Sequence, residues 1–250
     1  GDLPAARVLQ VTGAGLTNNG LMRVNPAQLG SAAVFRFEQS GTLGGTGEVR
    51  LVTSGPFAVV NTAVGTTITH AAGHMIRGTG QINASLVNNG AIVADDSVGQ
   101  NNFPLVLQTS DKANNATMTA AAGSELLITG IEIDQTGGGI INATGADAFV
   151  SLASATIDGG SINGTGGGLL RTSAGASTLR NVTLNTDTIV NAAHDLNVEG
   201  TGLVNNGTLR VNPLQVGSQA DLRFNESGTL GGTGSVELTT TTVFSRIVAE

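Results

Sequence analysis

The chain has no cysteine, tryptophan or tyrosine, and its one lysine is Lys112. Without cysteine there is no disulfide framework, no thiolate zinc site and no cysteine nucleophile. The 7 Phe are the sole aromatic residues apart from histidine, so no Trp or Tyr platform exists on which sugars or bases would stack. Charge is also scarce. Asp, Glu, Lys and Arg make up 12% of the residues, about half the roughly 25% of an ordinary soluble domain. The net charge is −7, and so few basic residues argue against nucleic acid as a partner. No apolar run reaches the roughly 18 residues that a membrane span needs. No charged segment followed by an apolar one marks a signal peptide. The five prolines mark no interdomain linker.

Glycine, in contrast, is abundant: 37 of 250 residues, about twice the usual roughly 7%. Hydrophobic residues reach 40%, mostly Val, Leu, Ile and Ala. That is enough for a core and excludes disorder by composition.

The chain repeats itself. Residues 15–47 read GLTNNGLMRVNPAQLGSAAVFRFEQSGTLGGTG, and residues 202–234 read GLVNNGTLRVNPLQVGSQADLRFNESGTLGGTG. The offset is 187 without a gap, and 23 of the 33 positions are identical. The same offset pairs Phe57 with Phe244. We therefore expect a window on a longer chain of 187-residue periods; a single internal duplication would look the same. A finer repeat lies inside. Asn-Asn-Gly recurs at Asn18-Asn19-Gly20, Asn88-Asn89-Gly90 and Asn205-Asn206-Gly207. Gly-Thr-Gly or Gly-Gly precedes short β-rich runs, and the spacing predicts units of about 20–25 residues holding two or three short strands.

Within each run the pattern has period 2. Leu209 and Val211 share a face opposite Arg210 and Asn212; Gly130–Asp134 and Asp221–Asn225 alternate in the same way. Such alternation predicts half-buried strands. Gly or Asn interrupts every window before three helical turns accumulate. The reading is all-β: one continuous parallel β-solenoid over 1–250, right-handed and three-sided. Coils that cannot bury their own apolar faces stack at about 4.8 Å and share a linear core. About 11 coils would make a rod on the order of 50 Å long. Gly and Asn supply the positive φ of the corners, and the Asn of Asn-Asn-Gly are placed to stack as amide ladders.

Runs such as GTGQINASLVNNGAIVA, GTGLVNNGTLRVN and ATIDGGSINGTGGG resemble the right-handed parallel β-helix stalks of bacterial surface proteins, with autotransporter and filamentous-haemagglutinin-type adhesins the nearest comparison. The resemblance is one of style and brings no functional residues with it. It implies an extracellular, cell-surface stalk, adhesin or filament.

Chemistry is hard to find. There is no P-loop, GxGxxG or GxSxG. His70 and His74 form H-x-x-x-H without the Glu of a zinc protease, and read as surface or corner histidines. The carboxylates Asp95, Asp96, Glu132, Asp134, Asp147 and Asp158 are strung along the chain. Asp95 and Asp96 form a weak Ca²⁺ candidate. Thr66–Thr69 and Thr239–Thr242 invite an ice-binding reading, but no flat rank of threonines on successive coils is evident. Arg23/Arg210 and Arg36/Arg223 recur in both copies, as outward edge protection or as lateral contacts between rods. We expect no catalytic residue, no cofactor and no membrane insertion. The function expected is structural: a segment of a long repetitive surface protein, partnered by neighbouring repeats, copies of itself, or host or matrix glycans and proteins. Two alternatives stand beside it, a carbohydrate-active β-helix enzyme or glycan-binding module, and a filament subunit stacking end to end.

Overall fold

The computed structural model describes residues 1–95, 103–214, 217–239 and 244–249. Among the described residues thirty-one strands, most of three to five residues, lie between Asp2 and Ala249, and no helix occurs. Most strands are short because turn-forming residues such as Gly, Asn and Asp recur along the chain and turn it. They pair in parallel with the strand one coil ahead. This is a parallel β-solenoid, as the period-2 runs and the repeats predict.

Pairing builds three ladders. The first starts at Asp2–Leu3 and passes through Leu21–Val24, Glu48–Leu51, Met75–Gly78 and Ala91–Ala94. The second starts at Val8–Val11 and ends at Ser235–Leu238. The third starts at Gly15–Thr17 and ends at Ser245–Ala249. The third and first merge into one 20-stranded sheet, and the second forms an 11-stranded sheet. They merge because Ala176–Asn185 and Asp195–Asn205 run through the corner as single long strands. Asn181 (φ 55°) makes that bend in one of them, where the register shifts. Coil length is not constant: the coil that carries Met75 round to Ala91 is short, and the one that carries Glu48 round to Met75 is much longer.

The core is a set of side-chain columns. In the first ladder Val49, Ile76, Ile92, Met118, Ile141, Ile162 and Leu184 stack in register, all fully buried. Burying such a side chain contributes roughly 1.5–3 kcal/mol, and each coil depends on its neighbours for that burial. The strand Ala220–Phe224 departs from simple alternation. Asp221 faces outward yet is buried, because Arg223, Arg246 and Gln219 close over it at 2.7–2.9 Å.

The long repeat is structural as well as textual. Gly15 pairs with Thr42 and Gly202 with Thr229; Leu21 pairs with Glu48 and Thr208 with Ser235; Ala33 pairs with Ala58 and Ala220 with Ser245. Backbone angles recur too: Ala6 and Ala193 have φ 57° and 65°, Asn25 and Asn212 59° and 52°. The two copies nevertheless occupy different ladders. Gly15–Thr17 lies in the third, whereas Gly202 pairs within the first. Eight coils and one further strand separate them, so the second copy is turned by one ladder around the axis.

Candidate functional site: a buried polar corner and a shallow cleft

The end of the third ladder holds the densest polar chemistry. Leu16, Leu43, His70, Asn88 and Asn114 stack there in register. The column is apolar for two coils and then polar. His70, Asn88, Asn114 and Gln135 have no exposed surface, and His74 has 1%. They form a continuous hydrogen-bonded chain. Asn18 Nδ2 lies 3.2 Å from His74 Nε2, and His74 Nδ1 lies 3.0 Å from His70 Nε2. His70 Nδ1 is 2.8 Å from Asn88 Oδ1. Asn88 Nδ2 donates to Asn114 Oδ1 (2.8 Å), Asn114 Nδ2 to Gln135 Oε1 (3.0 Å), and Gln135 Nε2 to the Gly159 carbonyl (3.3 Å). The two rings meet edge to face at 86°.

Local sequence sets this geometry. The first Asn of each triplet accepts a bond from the backbone N–H two residues on: Gly20, Gly90 and Gly207. This is the Asx-turn geometry that makes Asn a corner residue. The same amide donates to a carbonyl one coil ahead, at Glu48, Thr117 and Ser235. Asn114 does both jobs, with Ala116 N–H and the Ile140 carbonyl, although its triplet reads Asn-Asn-Ala. The second Asn of each triplet points outward. Asn19 accepts from Thr46 N–H, and Asn115 donates to Asn89. Asn206, Asn185, Asn163 and Asn142 form an outer amide row at 2.8–3.2 Å.

Burial pushes the His70 ring below its ordinary pKa, against the hydrogen bonds to the Asn88 side chain and the His74 backbone that favour its charged form. Burial first and the His70 charge second lower His74 to about 4. Both rings therefore stay neutral at neutral pH. The reading as surface or corner histidines is corrected: they sit at a corner but inside it. No group of three or more His, Asp or Glu poised to hold a metal occurs among the described residues.

Lys112 is a second residue that sequence pattern alone does not place. It occupies an inward position of the third ladder between Leu86 and Ile133 and is 2% exposed. Its ammonium reaches the Ser110 and Gln108 carbonyls at 2.6 and 3.3 Å. Burial lowers its pKa to about 7.

The repeated arginines all pair within the chain: Arg23 with Asp2, Arg36 with Glu38, Arg210 with Asp187 and Glu237, Arg223 with Asp221 and Asp195. Arg180 gathers Glu132, Asp158 and Glu199. Asp134 accepts from Thr136 instead. Of the calcium pair, Asp95 is bound to Arg77, and Asp96 lies outside the described residues. Of the Thr239–Thr242 run, residues 240–242 likewise lie outside them.

One cleft of about 240 Å³ opens where Asp95, Phe103, Glu125, Asp147, Phe149 and Arg171 converge. Arg171 stacks on the Phe149 ring at 4.0 Å and bonds Glu125 and Ser151. Two of its three carboxylates are thus held by arginines, and Asp147 is exposed. No helix among the described residues is long and apolar enough to cross a membrane. No family model, curated protein or solved structure matches the chain.

Proposed function

We propose that the chain is a non-enzymatic structural segment of a longer, repetitive, extracellular surface protein: a stalk, matrix fibre or adhesin shaft. The observation that carries this reading is the set of three ladders of parallel pairing along the rod, whose registers recur in the second copy of the long repeat. A pull along the axis loads rows of backbone hydrogen bonds together. Most outward charges are paired on the same chain, which leaves a surface suited to spacing and shape. Its partners would be neighbouring repeats, copies of itself, or matrix and host glycans or proteins. Protease treatment of intact producing cells tests the location: fragments of this segment should be released into the medium. Retention of the whole segment inside unlysed cells would overturn the reading.

The cleft supports a second reading, a glycan-binding patch. The Arg171 guanidinium, laid over the Phe149 ring beside Asp147, offers a flat donor face and an acceptor, a pairing that sugar hydroxyls use. Glycan-array binding that is lost in Arg171→Ala and Asp147→Ala would favour it. An unchanged binding pattern in both variants would remove it.

A further inference from the structure

The direction of each hydrogen bond in the polar corner is fixed by backbone groups outside it. Asn18, Asn88 and Asn114 each accept from a backbone N–H through Oδ1. Each donates through Nδ2 to a backbone carbonyl. A flipped amide would set carbonyl against carbonyl and N–H against N–H, so the three orientations follow. The rings then have no freedom. Asn18 Nδ2 is a donor, so His74 Nε2 accepts and the proton of His74 is on Nδ1. That proton goes to His70 Nε2, which leaves the proton of His70 on Nδ1, where it meets Asn88 Oδ1. The chain runs in one sense from Asn18 to the Gly159 carbonyl, across six coil steps, or about 29 Å at the usual strand spacing.

We propose that this corner is an acid-operated lock on the rod: closed while both histidines are neutral Nδ1–H tautomers, and broken when either ring gains a proton, at the link to Asn18 for His74 and at the link between the two rings for His70. On His74 the new Nε2–H would face the Asn18 amide hydrogens; on His70 it would face the Nδ1–H of His74. No carboxylate contacts either ring among the described residues to offset the charge. Strands Gly15–Thr17, Gly41–Gly44, Ser85–Asn88 and Ala91–Ala94 carry no charged side chain, and Thr67–His70 carries His70 alone. On the adjoining first ladder stand Arg23, Glu48, Arg50 and Arg77; Arg23 pairs with Asp2, Glu48 lies between Arg50 and Arg77, and Asp95 is on Arg77. Lys112, on the strand after Asn88, faces carbonyls. The lowered ring pKa values have the same sense.

Histidine in the unfolded chain takes its proton near pH 6.5. Both folded values lie below that, so the lock's stability is present above pH 6.5 and is lost as pH falls toward 4. Each proton taken up on unfolding changes the unfolding constant tenfold per pH unit. Denaturant unfolding from pH 8 to 4.5 should show that constant rising up to a hundredfold per pH unit below 6.5. His70→Gln with His74→Gln should flatten this rise, and His194→Gln should leave it in place. A rise that survives the double variant would overturn the proposal. Two-bond ¹⁵N–¹H correlations on the wild-type chain give an answer even where the double variant does not fold. His70 and His74 should both be Nδ1–H, and should stay so as pH falls through the ordinary histidine range. An Nε2–H tautomer at His70 or His74, or titration near 6.5, would likewise overturn it.

Discussion

Glycine is required for room in two of the three Asn-Asn-Gly triplets. None of Gly20, Gly90 and Gly207 has positive φ. A Cβ on Gly207 would lie 2.1 Å from the Thr186 carbonyl oxygen, and one on Gly90 would lie 2.5 Å from that of His74. One on Gly20 would meet nothing within 4 Å. Gly207→Ala should therefore lower stability by about 1–3 kcal/mol through overpacking, while Gly20→Ala should stay within about 0.5 kcal/mol; thermal denaturation of the two variants checks the contrast. The sequence marks all three positions alike, because the deciding neighbour is the coil beneath. Lys112 is the opposite case, a costly residue in an apolar column. Its folded pKa near 7 lies below its unfolded value, so the penalty for its burial is fully present below pH 7 and fades as pH rises through 10. Lys112→Met should stabilise the chain by on the order of 2 kcal/mol at pH 7, and the gain should vanish in urea titrations above pH 10.

At the level of strands, alternation correctly separates inside from outside in runs such as Thr208–Val211 and Glu132–Asp134. Leu209 and Val211 are buried, with Arg210 half-exposed between them, and Ile131 and Ile133 flank Glu132 in the same way. It fails at Asp221, where two arginines from its own and the following strand cover an outward carboxylate. It also fails to reveal the polar corner, whose members are spread from Asn18 to Gly159 and meet only because coil lengths bring each to the same corner. A column is only as strong as its middle. Ile141 sits between Met118 and Ile162 with no exposed surface, so Ile141→Ala should cost about 2–5 kcal/mol. Chemical denaturation should show that loss, while Val64→Ala, at a fully exposed position, should show none.

For the whole molecule, the repeats and the turn residues announce a stacked rod, and the eleven levels of the second ladder match the expected length. The phase of the repeat is not legible in the same way. Coils differ in length, as the short one ending at Ala91 and the long one ending at Met75 show, and the azimuth reached after a full period depends on every one of them. Neighbour-only contacts also predict how the rod opens. In the isolated 250-residue segment, native-state hydrogen exchange should find the slowest amides in coils between Met75 and Leu184, with progressively faster exchange toward both of its ends; uniform protection of the segment from Asp2 to Ala249 would contradict this. The displaced second copy, finally, makes the period a screw thread. In an array of such periods, a marking borne by one copy would reappear on the next ladder round, and would return to its starting side only after three. Its decoration would wind about the rod in a long-pitch helix, so a flat surface laid against the shaft would touch any given motif only once in three periods. Side-by-side bundling of two straight shafts would then lose register at every period, a built-in discouragement to lateral crystallisation.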